Sequence, residues 1–534
     1  MATEREVVKA ARLRGLTLNK AALLPILRTV KDEDDPAGAL ALILDGVKEA
    51  QNANPGMARI VSEEIVTTVI ADLSKVDVDV ESERFQLLNA FDQPRLAYDP
   101  IRKAFSLAEV ARGGSLHAAP EAKVHMLRDR YLLAQQRVQR NPIFTKPLID
   151  QGGEKSFQEL TTVDALLGAD TTGGDKLILG MITQVEEGEY YLEDLNGSVA
   201  LNLAGCEMTP GLFTEGCIVL TLGHMGNDGR FQCLRMGFPP PEPRSEALEA
   251  IGPSLDLFKS GFTRPQLARM QELEAKDSDA MFVLVSDLNL DKPGVLEKLR
   301  TMFEAFEECE PLPLFVLIGD FTSKPIVGDA AQLVNHFKAL ADLISEFEHL
   351  ASEGKFVFVP GPKDPGAGNT LPRPPLASVF TSYLKEKVPH ARFASNPCRL
   401  RYFASEIVVM REDVVKKMSR NVIVPPAAGA ERPDMSQDDG PESSEMDVTE
   451  HLVKTLVDQA HLCPLPLSVR PVHWAHDHAL RLYPAPSMLV LADRSDQFSW
   501  RYEDCLAINP GSFPTDFSFV VYRPASDEIE FSRI

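Results

Sequence analysis

Apolar residues in the first ~75 positions recur at helical spacing. Leu18, Ala22, Leu23, Ile26, Leu27 and Val30 line one face. Asp35 followed by Pro36 reads as an N-cap with proline in the first turn, opening a helix whose apolar side is Leu40, Ile43, Leu44 and Val47. Ser62 with Glu63 and Glu64 opens another, with Ile65, Val66, Val69, Ile70 and Leu73 on its apolar side. The pattern predicts a small all-α domain over residues 1–75 with no reactive side chain placed on it. Residues 76–165 break that regularity, with Pro94, Pro100, Pro120, Pro142 and Pro147 between short helical stretches, and read as a partly ordered connector.

Near residue 175 the period changes from helical to alternating. KLILGMITQV, EYYLEDLNGSVALNL, CIVLTLGHM and RFQCLRMG read as successive strands, with turn signals at Asn196-Gly197 and Asn227-Asp228-Gly229. So many short strands in so little chain predict a small closed β barrel of OB type within residues 166–279. From residue 280 the pattern is α/β. MFVLVSD, PLFVLIGD, KFVFVPG, SMLVLAD and CLAINPG are buried-strand runs, each ending in a loop with Asp, Asn or Gly, and helical stretches at 294–308 and 329–350 separate the first three. Residues 425–450 interrupt this domain with eight acidic residues, one basic and almost no large apolar side chains, which predicts a disordered loop; Ser443 and Ser444 are candidate phosphorylation positions within it.

Charge then narrows the function. The 534 residues carry 55 Lys+Arg against 78 Asp+Glu, a formal −23. Residues 1–150 are neutral with 21 of each sign, while residues 151–279 hold 9 basic and 21 acidic and residues 280–534 hold 25 and 36. A single-strand-binding barrel requires a cationic groove with stacking aromatics. Here Tyr190 and Tyr191 stand among Glu186, Glu187, Glu189, Glu193 and Asp194, so a protein-contact role is the better expectation. The seven cysteines (206, 217, 233, 309, 398, 463 and 505) are scattered and contain no C-x-x-C, which argues against a zinc finger or a secreted disulfide framework. The N-terminus lacks the apolar core of a signal peptide, and no apolar run approaches a membrane span, so a reduced, intracellular, multidomain protein without a membrane partner is expected.

Carboxylates at the ends of neighbouring strands are what a dinuclear metal phosphoesterase uses, with His and Asn ligands to fix two cations and orient hydroxide. The calcineurin-like phosphoesterases supply these as D-x-H, G-D-x-x-D/N, G-N-H-D/E, a lone His and G-H-x-H, and the present chain resembles them in strand-then-loop order with the ligands eroded. Asp287 is kept, but Asn289 replaces the first His; Asp320 is kept, but Ser323 stands at the second acid or amide. Asp364 remains in Gly361-Pro362-Lys363-Asp364, His461 matches the lone His, and Asp493 lies in Leu491-Ala492-Asp493-Arg494-Ser495 where both last histidines are missing. These seven positions are expected to be vestiges of a metal site with no catalytic residue, cofactor or metal. Asp287 and Asp320 are expected to accept hydrogen bonds from loop amides. His473, His476 and His478 crowd one short segment; in an extended strand His476 and His478 share a face and His473 points away, and ordinary packing is expected of them. Gly152-Gly153-Glu154-Lys155-Ser156 lacks the P-loop spacing, and no G-x-G-x-x-G following a strand and no G-x-S-x-G is present.

A helical module, a barrel and a disarmed phosphoesterase-like domain in this order resemble the B subunits of replicative eukaryotic DNA polymerases. Val285–Asp291, Phe356–Gly366 and Leu371–Leu376 are similar to the epsilon branch of that family, as are Asn396–Arg399, His461–Leu467 and Asn509–Phe513. The resemblance covers 1–75 by pattern and 280–534 by motif. It implies an AAA+ lid-like helical domain, an OB fold and an inactivated calcineurin-like phosphoesterase domain. It also implies a nuclear, non-catalytic accessory subunit in DNA replication. Its barrel and phosphoesterase-like domain would hold the zinc-binding C-terminal region of the polymerase epsilon catalytic subunit. Residues 1–75 would tether the replisome polymerase to GINS in the replicative helicase. Small histone-fold subunits would belong to the same complex, with DNA contacted only as part of it. A B subunit of polymerase delta or alpha, and an active metal-dependent phosphodiesterase, are the alternative readings.

Overall fold

The computed structural model describes residues 4–31, 36, 39–40, 43–44, 46–48, 60–74, 84–108, 118–145, 158–168, 174–252, 255–259, 264–326, 331–366, 368–425 and 446–534. They fall into two compact units: residues 1–86 with 253–277 and 401–404, and residues 87–252 with 278–400 and 405–534.

In the first unit, helices Glu4–Leu13, Lys20–Lys31 and Glu63–Ser74, with helical residues among 36–48, bury Val7, Ile26, Val30, Leu44, Val47 and Val66 in one core. The helical spacing read from the sequence puts these side chains on common faces, and mutual burial of those faces holds short helices that would be marginal alone. Thr17–Leu18 pairs in parallel with Ile60–Val61, a small sheet element that helical periodicity does not signal.

In the second unit the barrel consists of Lys176–Glu186, Glu189–Glu193, Ser198–Asn202, Phe231–Gly237 and Ile218–Met225, which pair in that spatial order and close back on Lys176–Glu186. Inward residues Ile178, Ile182, Leu192, Val199, Val219 and Phe231 fill it. Asp194 ties one of its turns, accepting from the N–H groups of Asn196 (2.7 Å) and Gly197 (2.9 Å) and, through its other oxygen, from Val163 at the start of a short helix (2.9 Å). One of the acidic barrel residues is therefore a turn-former.

The α/β region has two sheets. In the first, Ala391–Phe393, Lys355–Val359, Leu314–Ile318 and Phe282–Val285 run parallel, and the antiparallel hairpin Ser518–Arg523/Glu528–Arg533 extends it. In the second, Phe498–Tyr502, Cys505–Asn509, Met488–Ala492 and Ser405–Arg411 lie side by side. Phe315, Leu317, Phe356 and Phe358 pack with helices Val295–Phe306, Ala331–Ile344 and Ser378–Lys387. The alternate positions Leu314, Val316, Val357 and Val359 are also buried, so the strands are covered on both faces, which is why they read as continuous apolar runs.

Two stretches differ from the sequence reading. Within 76–165, Glu121–Arg140 is a 20-residue helix wedged into the unit's interior. Tyr131, Ala134 and Val138 pack on Leu179, Met181 and Ile218 of the barrel, and the Tyr131 hydroxyl donates to the Leu179 carbonyl (3.1 Å). Its buried face also carries Arg130, Gln136 and Arg137, so the apolar stripe that would announce a core helix is interrupted. In the acidic insertion, residues 426–445 lie outside the described residues, but Asp447 and Glu450 form a capping box that starts helix Val448–Gln459. Acidic residues there serve the helix N-terminus rather than a loop.

The barrel is also not separate from the α/β region. The Gln459 side chain completes a backbone pair at Ile218, accepting from its N–H (2.8 Å) and donating to its carbonyl (2.7 Å). The Thr455 hydroxyl accepts from the Leu212 N–H (2.8 Å), and the Thr214 hydroxyl donates to the Pro464 carbonyl.

Candidate functional site

Strands Phe282–Val285, Leu314–Ile318 and Lys355–Val359 deliver Asp287, Asp320 and Lys363 to one edge of the first sheet; Ser405–Arg411 and Met488–Ala492 bring Arg411 and Arg494 to the same place from the second. Asp287 sits at φ +55°, a left-handed conformation costly for a residue with a Cβ and held by the contacts around it. Gly319 and Gly361 permit the loops to close: a Cβ on Gly319 would meet Asp364 Oδ2 at 2.1 Å, and one on Gly361 would meet Asp320 Oδ1 at 2.4 Å.

Arg411, fully buried, donates to Asp287 Oδ1 from Nε (3.0 Å) and from Nη2 (2.7 Å); the same Nη2 lies 3.8 Å from Asp320, and Nη1 donates to Asp413 (2.8 Å). Arg494 closes the other side, Nε to Asp287 Oδ2 at 3.3 Å and Nη2 to Asp320 Oδ2 at 3.0 Å. The Ser512 hydroxyl donates to Asp287 (3.0 Å), and the Lys363 N–H to Asp320 (2.8 Å). Lys363 Nζ lies 3.7 Å from the Asp320 carboxylate and donates to the Ser323 carbonyl (2.6 Å). Two guanidinium groups thus bridge the two carboxylates, and charge-assisted hydrogen bonds stitch one sheet to the other.

Each carboxylate responds differently. Burial opposes ionisation of Asp287, but Arg411, Arg494 and the Ser512 hydroxyl outweigh it and hold the carboxyl below its ordinary range. Burial pushes Asp320 up, and Arg411 and the Lys363 amide only partly offset that, with the charge of Asp287 adding to the rise. Asp364 is raised to about 7 by burial and by the charge of Asp320, although the Gly361 and Phe321 N–H groups donate to it (2.7 and 2.8 Å).

The remaining sequence-marked positions have other partners. Asn289 Nδ2 donates to the Asp320 carbonyl (2.7 Å), fixing that loop. Ser323 is bonded to Asp291, by N–H (2.8 Å) and hydroxyl (2.6 Å). Asp493 accepts from the N–H groups of Val415 (3.0 Å) and Ser495 (3.0 Å). Asp287 differs from the expected loop-amide acceptor because its chief partners are arginines; Asp320 accepts both an amide and arginine. Among the described residues no group of three His, Cys, Asp or Glu side chains is placed to hold a metal ion. The sequence reading misses Arg411, although it ends the apolar run Ile407–Met410, a strand end where other strands carry Asp, Asn or Gly.

His461 belongs to a second buried cluster. Its Nε2 lies 3.2 Å from Asp477 Oδ1, and Asp477 also takes Arg130 Nε at 3.1 and 3.2 Å, a second bond from Arg130 Nη2, and Arg481 Nε at 3.7 Å. The cluster borders a cavity of about 20 Å³ lined by Arg130, Arg137, Gly216, Gln459, His461 and Arg481. His473–His478 is not extended: Trp474–Leu480 is a 3₁₀ helix in which His476 packs edge-on to Phe91 (4.8 Å) and His478 Nε2 is 2.9 Å from the Gln93 carbonyl. Burial, reinforced by neighbouring arginines, lowers both His461 and His478 to about 4. Their folded values lie below the ordinary ~6.5, so the unfolded chain takes up protons first. Stability is complete above that value and is lost as pH falls towards 4, by up to about 3 kcal/mol per histidine. Asp364, raised, works the other way between about 7 and its ordinary value, which offsets part of the loss. The melting temperature is expected to fall from pH 6.5 to 4, with a shallower fall in His478→Gln; an equal slope in both proteins would contradict this assignment.

The chain joins an OB barrel to a two-sheet α/β domain, and its matches place it in the class of DNA polymerase B subunits. Residues 282–500 match the family of B subunits of DNA polymerases alpha and epsilon, and residues 120–240 match the DNA polymerase epsilon subunit 2-like OB-fold domain. Human DNA polymerase epsilon subunit 2 is 39% identical, covering 100% of this chain and 99% of its own length. The epsilon B subunit of Arabidopsis thaliana is 35% identical (99% and 98% covered), and that of Saccharomyces cerevisiae 31% identical (80% and 72%). The chain belongs to the family of second, accessory subunits of DNA polymerase epsilon. The OB match begins at residue 120, which takes in helix Glu121–Arg140 and agrees with its packing on the barrel.

Proposed function

We propose that this chain is the non-catalytic scaffold of a nuclear, leading-strand polymerase epsilon. Its barrel and α/β domain hold the zinc-binding C-terminal region of the catalytic subunit, and residues 1–75, an AAA+ lid-like module, tether the polymerase to GINS. Small histone-fold subunits share the complex, and DNA is contacted only within it. Likeness to epsilon B subunits along the whole chain carries this reading and favours it over a delta or alpha B subunit. The α/β domain is a calcineurin-like phosphoesterase whose metal site has been replaced by Arg411 and Arg494. That proposal rests on Asp287 and Asp320 already being bridged by guanidinium groups, on the absence of histidine at Asn289 and on Lys363 beside Asp320.

Two measurements test it. The full chain is expected to co-purify with the epsilon catalytic subunit and GINS, while a chain lacking residues 1–75 keeps the former and loses the latter. Retention of GINS by the shortened chain would sink the tethering claim. Elemental analysis of the full chain is expected to find no stoichiometric Mn, Fe or Zn, and a chelator should leave the melting temperature unchanged. Two metals per chain with hydrolysis of a model phosphodiester would instead establish an active phosphodiesterase.

A further inference from the structure

The barrel brings two of the seven cysteines into contact. Cys206 closes a turn, its N–H donating to the Leu203 carbonyl (3.1 Å), just ahead of Glu207–Met208, which pairs in parallel with Arg235–Met236. Cys233 lies on that same strand, opposite Gly223. Their Sγ atoms are 3.3 Å apart, hydrogen-bonding distance for sulfur, and roughly 1.3 Å beyond the length of a disulfide bond. Cys206 is half-buried and Cys233 buried, so solvent reaches one sulfur of the pair and the other waits behind it. Cys217, Cys398, Cys463 and Cys505 are all buried, which leaves Cys309 as the other partly accessible thiol.

We infer that Cys206 and Cys233 form an oxidisable dithiol, a modification site in which Cys206 is attacked first and Cys233 resolves it. Either thiol can donate across the 3.3 Å contact, and the Cys233 thiol also lies 3.4 Å from the Arg235 carbonyl. When Cys233 donates to Cys206, the bond favours the thiolate on Cys206, against burial and the charge of Glu207, and raises Cys233. A thiolate on the accessible member is the form that reacts with peroxides. The Cys206 thiolate attacks one peroxide oxygen; the O–O bond breaks, the S–O bond forms, and hydroxide leaves as water with the proton Cys206 gave up. Cys233 then attacks the sulfenic sulfur; the S–S bond forms, the S–O bond breaks, and the departing hydroxide takes the Cys233 proton. In sum two thiols and one hydrogen peroxide give one disulfide and two waters. The bond would staple the Cys206 turn and its short edge strand to Phe231–Gly237, closing a loop across the barrel.

Limiting hydrogen peroxide on the native full chain, followed by maleimide and peptide mass analysis, tests this. The expected product is an intramolecular Cys206–Cys233 disulfide, two hydrogens lighter and reversed by dithiothreitol, formed while Cys309 is still alkylated. It should also raise the melting temperature. In Cys233→Ser, the sulfenic acid of Cys206 is expected to accumulate and be trapped by dimedone; in Cys206→Ser, Cys233 is expected to stay reduced. Cys233→Ala serves the same purpose if serine loosens the barrel core. Oxidation of Cys206 no faster than Cys309 would overturn the inference, as would sulfinic acid on Cys206 beside an alkylated Cys233, or pairing of either cysteine with another partner.

Discussion

Arg411→Met is expected to destabilise the second unit by about 3–5 kcal/mol, the cost of removing one partner from a buried ion cluster. Arg411 is fully buried and joins Asp287, Asp320 and Asp413. Methionine fills much of the volume but leaves Asp287 and Asp320 with Arg494, which is 41% exposed and meets water on its outer side. The carboxylates are then bridged only from the exposed side, by Arg494 with Lys363 beside Asp320, and the seam between the two sheets weakens at this edge. The effect should not be additive: Asp287→Asn and Asp320→Asn in the Arg411→Met background are expected to restore part of the loss, because they remove the charges that were stranded. Denaturant titration of the single and combined variants measures this. A single variant within about 0.5 kcal/mol of the parent would show that the guanidinium does not hold the sheets together.

Arg130→Met is the second large effect, at about 3 kcal/mol on the same grounds. Arg130 and Asp477 are 9% and 2% exposed in their side chains, so the lost pair is not replaced by water. Arg481, whose Nε is 3.7 Å from Asp477, is the remaining guanidinium partner. Two readouts identify the mechanism. Amide exchange should quicken along Glu121–Arg140, whose Arg130 and Arg137 reach Asp477 and the Asp458 carbonyl. The His461 pKa should rise from about 4, because repulsion from Arg130 is, after burial, the main influence keeping it low. Unchanged exchange in that helix would assign the cluster a merely local role.

These two arginines also mark where the legibility of the chain ends. The strands that end at Asp287, Asp320 and Gly361 are visible in the sequence because apolar runs stop abruptly at turn-forming or acidic residues. Departures from a dinuclear ligand set are visible in the same loops, at Asn289, Ser323 and Lys363. What occupies the face of the carboxylates is not, since Arg411 comes from a strand 124 positions beyond Asp287. Helix Glu121–Arg140 escapes notice for a related reason: Arg130, Gln136 and Arg137 are buried because partners far along the chain satisfy them, whereas periodicity counts them as solvent-facing. His461 matches the phosphoesterase pattern by sequence order alone, and its geometry ties it to Asp477.

The sequence by itself determined the helical spacing near the N-terminus, the barrel strands, the buried strands of the α/β region and the family resemblance, because periodicity, turn residues and short motifs are local and act on a few neighbouring positions. Tertiary structure decided how buried charge is neutralised: Arg411 and Arg494 on Asp287 and Asp320, Arg130 on Asp477, and Gln459 on the barrel edge at Ile218. A charged or polar group can be buried only where a partner meets it. Whether one does depends on contacts between segments hundreds of residues apart, which only the folded chain brings together.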